Sequence, residues 1–243
     1  MYVTNCVRGD GFGAQYQNII WAIIYSELNN YNFYYTPFSS MEHNYDGDPD
    51  FIDKKEKFIN IIEHYPLVET LPNNTFVKQL CGGVDGVNFD PIENDLNKSL
   101  NLSSFLKIKE LFHKNKKSIF ENSVTNVAVH VRKQNIHDNH TLGLYDDKYF
   151  LDIMNHIRVT YPGEKIFHIF SQGDENNFQH FKNKDVLFHL NESIEKTFYS
   201  MVTSQILIMS KSSLSYTAAM LNDGIVYYLP FWHKPSSKWI IKK

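Results

Sequence analysis

From Val124 onward, short apolar runs alternate with helical stretches so regularly that few folds can accommodate the chain. Val124–Arg132, Ile166–Ser171, Val186–Leu190, Ile206–Met209 and Ile225–Leu229 read as buried strands. Lys148–Val159, Glu175–Phe181, Ile194–Thr203 and Leu214–Leu221 read as the helices between them. Parallel strands need long crossovers, which helices supply, so the alternation predicts a doubly wound parallel sheet.

The first forty residues carry the same signal. Tyr2–Val7 is a β-branched and aromatic run, Gln15–Leu28 sets Ile19, Ile20, Ile23, Ile24 and Leu28 at helical spacing, and Asn32–Tyr35 is a second strand stopped at Thr36-Pro37. A helix is predicted at Phe51–His64, ended by Pro66. Pro72 to Asn97 reads as irregular with one strand near Phe76–Leu80, and Leu102–Phe120 reads as helix, in one piece or two. Two α/β lobes follow, 1–123 and 124–230, with the aromatic-rich tail 231–243 expected to pack across them. At 243 residues the chain is long enough for both.

Charge narrows the partners. The formal net charge is −3, with lysines and arginines scattered along the chain, which leaves no basic footprint for nucleic acid. Neither a leader-like start nor about 18 consecutive apolar residues occurs, so no membrane span and a cytoplasmic location are expected. Cys6 and Cys81 are then expected to be reduced thiols. The Asn-x-Ser/Thr triplets at Asn73, Asn97, Asn101, Asn139 and Asn191 read as products of an asparagine-rich composition.

Three motifs carry chemistry. Gly9-Asp10-Gly11-Phe12-Gly13-Ala14-Gln15 joins the first strand to its helix, and a glycine turn there brings backbone amides close to an anion. His130 and Arg132 share one face at the end of a strand, where an arginine can neutralise a phosphate. Ser210-Lys211-Ser212-Ser213-Leu214-Ser215 opens a helix, and hydroxyls with free first-turn amides suit phosphate oxygens, although serine is also an ordinary N-cap. The loose dinucleotide fingerprint Gly9-x-Gly11-x-x-Ala14 keeps an NAD(P)-dependent oxidoreductase open. The strand ending Tyr34-Tyr35-Thr36 lacks the acidic residue such enzymes use on the ribose. Asp46, Asp48 and Asp50 superficially match an Asp-x-Asp metal motif, but Gly47 and Pro49 mark a plain loop, and no metal or other cofactor is expected.

With these residues the chain resembles the fucosyltransferase-like superfamily of GT-B glycosyltransferases, which includes α1,2- and α1,6-fucosyltransferases and protein O-fucosyltransferases. Gly11-Phe12-Gly13-Ala14-Gln15 looks like its Gly-x-Gly-Asn-Gln turn, His130-Val131-Arg132 like its His-x-Arg motif, and Lys211-Ser212-Ser213-Leu214-Ser215-Tyr216 like its Ser-Ser-Phe-Ser motif. The resemblance implies a compact α/β GT-B fold, two Rossmann-like lobes with parallel sheets facing a central cleft. It also implies an inverting, metal-independent transfer from a nucleotide diphosphate sugar such as GDP-fucose to a glycan acceptor.

By the same resemblance Arg132 contacts the donor diphosphate and assists its departure. Gly11, Phe12, Gly13, Gln15, His130, Ser212, Ser213, Leu214 and Ser215 line the donor, and Asp174 contacts its base or ribose. Ala14 stands where the family has asparagine, and Lys133-Gln134-Asn135 where it has Arg-Gly-Asp, so fucose, xylose or another sugar remains open. An inverting transfer also needs a base for the acceptor hydroxyl, and Asp10, Glu42 and His43 are the candidates. A catalytically inactive sugar-nucleotide or glycan-binding module is a third reading.

Overall fold

The computed structural model describes residues 1–120, 123–133 and 146–242. Gln134 and Asn135, and the triplet at Asn139, lie outside the described residues. The chain is α/β, with two parallel sheets, and it forms two units, Met1–Lys116 and Lys117–Lys243.

In the first unit β1 (Tyr2–Asn5) lies between β2 (Asn32–Tyr34) and β3 (Val77–Leu80), both parallel to it. Helix α1 (Phe12–Leu28) links β1 to β2 and starts three residues before the Gln15 that the pattern predicts, because Gly11 is its N-cap and Phe12, Gly13 and Ala14 of the turn are already helical. It is buried nearly all round, with Tyr16, Ile20, Ala22 and Ile24 almost fully enclosed. A helix so enclosed has no polar stripe, which is why Gln15, Gln17 and Asn18 are buried too.

The helix predicted to His64 ends early. Helix α2 (Phe51–Ile59) stops at Asn60, which adopts the left-handed conformation (φ 59°), and a 3-10 turn follows at Ile61–Glu63. After β3 come the short helices α3 (Asp90–Asn94) and α4 (Leu96–Ser99), in the stretch expected to be irregular. Helix α5 (Ser103–His113) packs on α1 and ends before Asn115, also left-handed at φ 60°, well short of Phe120.

The second unit contains a six-stranded parallel sheet. In chain order its strands are β4 (Thr125–His130), β5 (Lys165–Ser171), β6 (Val186–Leu190), β7 (Ile206–Ile208), β8 (Ile225–Tyr228) and β9 (Ile240–Ile241). In space they run β6-β5-β4-β7-β8-β9, the order of a doubly wound sheet. One face packs α6 (Asp147–Thr160) and the 3-10 segment Glu175–Phe181. There Val127, Val129, Phe167, Ile169, Ile206 and Ile208 meet Phe150, Ile153, Met154, Ile157 and Phe178 in one core.

Alternate residues point to the opposite face, where α7 (Ile194–Thr203) contacts β4 and α8 (Ser213–Leu221). Glu175–Phe181, predicted as a regular helix, is 3-10 in form. Gly224, at the turn into β8, is required sterically, since a Cβ there would stand 2.3 Å from the Gln205 carbonyl oxygen.

The tail belongs to the second unit. Its β9 extends the sheet beside β8, and Phe231, His233 and Trp239 pack their rings on buried Tyr216 of α8.

Candidate functional site

In the second unit β4 and β7 are neighbours from which the chain winds in opposite directions, to β5 and β6 on one side and to β8 on the other. Such a reversal leaves a crevice beyond the carboxyl ends of the two central strands, because their crossovers diverge to opposite faces. The sequence places Arg132 two residues past the end of β4 and Ser210, the first residue of the serine motif, two residues past the end of β7. Two of the three motifs therefore meet at one switch point.

Ser210 makes the junction. Its buried hydroxyl donates to the His130 carbonyl oxygen and accepts the Arg132 backbone N–H at 2.8 Å, stitching the end of β7 to the end of β4. From the other side the Val131 N–H donates to the Phe170 carbonyl oxygen at 3.0 Å, and the Ser171 hydroxyl donates to the Val131 carbonyl oxygen at 2.6 Å. Lys133 Nζ reaches both carboxylate oxygens of Asp147 at 2.5 Å, and His180 Nε2 lies 2.9 Å from the same carboxylate. Arg132, half-buried, thus extends from a backbone clamped before and after it.

The serine motif divides its labour. Ser212 is the N-cap of α8, its hydroxyl accepting the Leu214 N–H at 3.2 Å, and its own N–H donates to the Ser210 carbonyl oxygen at 2.9 Å. Ser215, expected to line the donor, is fully buried, and its hydroxyl turns back to the Ser210 and Ser212 carbonyl oxygens. It shapes the loop. Ser213 and Leu214 are half-buried at the first turn, where N–H groups point out of the helix.

His130 is 8% exposed, and its Nδ1 has no hydrogen-bond partner among the described residues. Burial, with the Arg132 charge adding to it, lowers its pKa to about 3, so the ring is neutral beside a permanent cation. Asp174 follows β5 and is exposed. Its carboxylate accepts the Asn176 N–H at 2.8 Å as the cap of the 3-10 segment. The neighbouring Gly173 backbone is clipped by the Asn191 side chain, 2.9 Å from the N–H and 3.0 Å from the carbonyl oxygen.

The first unit has a switch point of its own, between β1 and β3, and the glycine turn leaves from it. Gln15, expected to line a diphosphate, spends both amide protons on backbone, donating to the Asp10 and Ser40 carbonyl oxygens at 2.7 and 2.8 Å. It pins the turn to the loop after β2. Phe12 is a core side chain, packed among Tyr16, Phe38 and Phe58, so only its backbone could serve a ligand.

That pinned loop brings the three candidate bases together. The Glu42 N–H donates to the Asp10 carbonyl oxygen at 3.3 Å, and the His43 ring lies over Gly11 so closely that a Cβ there would meet it at 2.6 Å. His43 Nδ1 is 2.5 Å from the Tyr45 hydroxyl, and its Nε2 is 3.9 Å from Glu42. His43 adopts φ 72°, a left-handed conformation that side chains rarely take. Asp10 is paired instead with Arg8 at 2.7 Å. Tyr45 is the residue that sequence reasoning missed, and Ser210, read only as part of the serine motif, is the junction that it did not foresee. Ser210 was findable as the first polar residue after an apolar strand, whereas Tyr45 carried no signal.

Cys6 and Cys81 are joined as a disulfide, which corrects the expectation of two reduced thiols. The strands they terminate, β1 and β3, are adjacent and parallel in register, so the residues just beyond them meet with Cα atoms 5.5 Å apart. Asp48 accepts from Lys54 Nζ at 2.6 Å and from the Asp50 N–H at 3.0 Å, the bonds of a loop. Among the described residues no three His, Cys, Asp or Glu side chains gather as a metal site, and no helix is long and apolar enough to cross a membrane.

Comparison with known proteins returns nothing to lean on: no family model, curated protein or solved structure matches the chain. The functional reading therefore rests on the residues themselves.

Proposed function

We propose that the protein is a glycosyltransferase of the two-lobed GT-B kind, inverting and without a metal, moving a sugar from a nucleotide diphosphate donor to a glycan hydroxyl. The observation that carries the reading is the meeting of Arg132 with the serine-capped start of α8 at the β4/β7 switch point, locked through Ser210. Negative charge grows on the departing diphosphate as the anomeric C–O bond breaks. An arginine and a helix N-terminus held rigidly in advance stabilise that charge without reorganising.

His130 is buried and neutral, so of the His130–Arg132 pair it is the arginine that supplies the positive charge. For the acceptor we assign His43 as the proton-accepting group. It is held at the glycine turn by Tyr45, whereas the carboxylate of Asp10 is engaged by Arg8. GDP-fucose is the donor favoured by the sequence resemblance.

The test is thermal denaturation in the presence of GDP, UDP, GDP-fucose, UDP-xylose and NADPH. A ligand present at a hundredfold excess over its dissociation constant adds about 2.7 kcal/mol to the folded state and raises its melting temperature. We expect stabilisation by GDP and its sugar and none by NADPH; the reverse ranking would overturn the reading.

A further inference from the structure

The disulfide lies where it can act on chemistry. Cys6 is the first residue after β1 and Cys81 the first after β3, so the bond spans the two strand ends that define the first unit's switch point. Immediately beyond Cys6 runs Val7-Arg8-Gly9, exposed, with open space around Gly9, before the turn is pinned again at Asp10 by Gln15 and Glu42. Beyond Cys81 runs a second glycine-rich stretch, in which Gly83, Asp85 and Gly86 all have positive φ. Val7-Arg8-Gly9 is exposed, and 81–87 is closed by turn bonds of its own, from the Val84 N–H to the Cys81 carbonyl oxygen and from the Gly83 N–H to the Val87 carbonyl oxygen; the cross-link that ties the two segments connects residues 75 apart in sequence.

We propose that the Cys6–Cys81 pair is a redox-modifiable latch on the glycine turn: oxidised, it orders the segments 6–11 and 81–87, and reduced by a thiol it releases them. The two sulfurs are not equivalent. Cys6 is 6% exposed while Cys81 is only half-buried, so an incoming thiolate attacks Cys81 Sγ. The S–S bond breaks, Cys6 leaves as thiolate, and the attacking thiol remains on Cys81 as a mixed disulfide.

Asn18 Nδ2 lies 3.6 Å from Cys6 Sγ, placing an N–H donor beside the sulfur that must carry the leaving charge. A second thiol of the reductant then displaces Cys81 from the mixed disulfide. Two electrons pass from the dithiol to the pair, and two protons move with them to leave Cys6 and Cys81 as thiols. The reductant is a dithiol, small or borne on a protein. This inference does not depend on the nucleotide-sugar reading, because it concerns only the order of the turn.

The whole protein, purified without reductant, is alkylated with iodoacetamide and weighed, then compared by backbone hydrogen exchange before and after treatment with dithiothreitol. We expect no alkylation before reduction. After it, amides in 6–11 and 81–87 should exchange about tenfold or more faster while those of β4, β5 and β7 are unchanged. The Cys81→Ser variant should show the fast pattern without reductant. Should that variant misfold, wild-type protein at graded dithiothreitol concentrations supplies the same comparison. Alkylation of both cysteines before reduction overturns the latch, and so does exchange in the two segments that ignores reduction.

Discussion

Replacing Arg132 with alanine should lower turnover by about 10² to 10³ while leaving the fold intact. The loss corresponds to about 2.7 to 4 kcal/mol of stabilisation of the departing diphosphate, the worth of one oriented donor in a site that excludes water. The fold should survive because Arg132 contributes its backbone N–H, not its side chain, to the Ser210 junction, and alanine keeps that N–H. A lysine at the same position should recover only part of the activity, since an ammonium lacks the planar two-pronged geometry of guanidinium. Single-turnover transfer from GDP-fucose, with urea unfolding as the control, measures both quantities. Near-normal turnover in Arg132→Ala would remove the residue from the chemistry.

The second large effect is a loss of stability in mild acid. His130 and His168 are 8% and 7% exposed, and their pKa values are lowered to about 3 and about 4. Burial is the main cause for each, followed by the Arg132 charge for His130 and by His189 for His168.

The hydrogen bonds around His168 show why the neutral form is preferred. Asn126 Nδ2 donates to the Val124 carbonyl oxygen, so Asn126 Oδ1 is left to accept from His168 Nε2–H at 3.1 Å. His168 Nδ1 then accepts from His189 Nε2–H at 2.9 Å. A second proton on His168 would set two N–H groups against each other. His189 Nδ1 in turn lies 3.6 Å from Glu192, and its pKa is lowered by burial despite that carboxylate.

The sign follows from the direction of these shifts. In the unfolded chain both histidines protonate below about pH 6.5, while in the folded protein they stay neutral, so the unfolded state binds more protons and gains as pH falls. Stability contributed by the two is complete above pH 6.5 and is lost progressively toward pH 4 and below. Between pH 7 and pH 5 the loss is about 4 kcal/mol, at about 1.4 kcal/mol per group per pH unit below 6.5. Urea midpoints measured from pH 7 to pH 5 should fall accordingly, and His168→Asn should flatten the slope. Constant midpoints over that range would contradict the account.

How far the sequence foretold this differs between the two units. The second could be read element by element as far as β8: Val186–Leu190 and Ile194–Thr203 emerge with the bounds their pattern predicts, because buried parallel strands are continuous apolar runs and their helices begin on caps such as Ser193. The first was read less well wherever single asparagines decide the backbone. Asn60 and Asn115 enter the left-handed region and end helices that apolar spacing alone would prolong. The short strand β9 and helices α3 and α4 lie below the length at which periodicity speaks.

The candidate site shows the same division. Arg132 and Ser212 are legible in position, because one stands just past a strand end and the other caps a helix. His43 was visible only as a loop residue, and nothing local marked Tyr45 as its partner or the space over Gly11 as the place its ring would fill. Gln15 and Phe12 were correctly placed at the turn but serve it from beneath, one by pinning the loop and the other by filling the core. Cys6 and Cys81 could be paired only once β3 was known to lie beside β1.

Titration calorimetry of GDP into the wild-type protein and into Arg132→Ala tests most directly whether a nucleotide diphosphate occupies the β4/β7 switch point. The account predicts saturable binding to the wild type and at least about tenfold weaker binding to the variant, a difference of about 1.4 kcal/mol. No binding to the wild type, or equal affinity for both proteins, would contradict it.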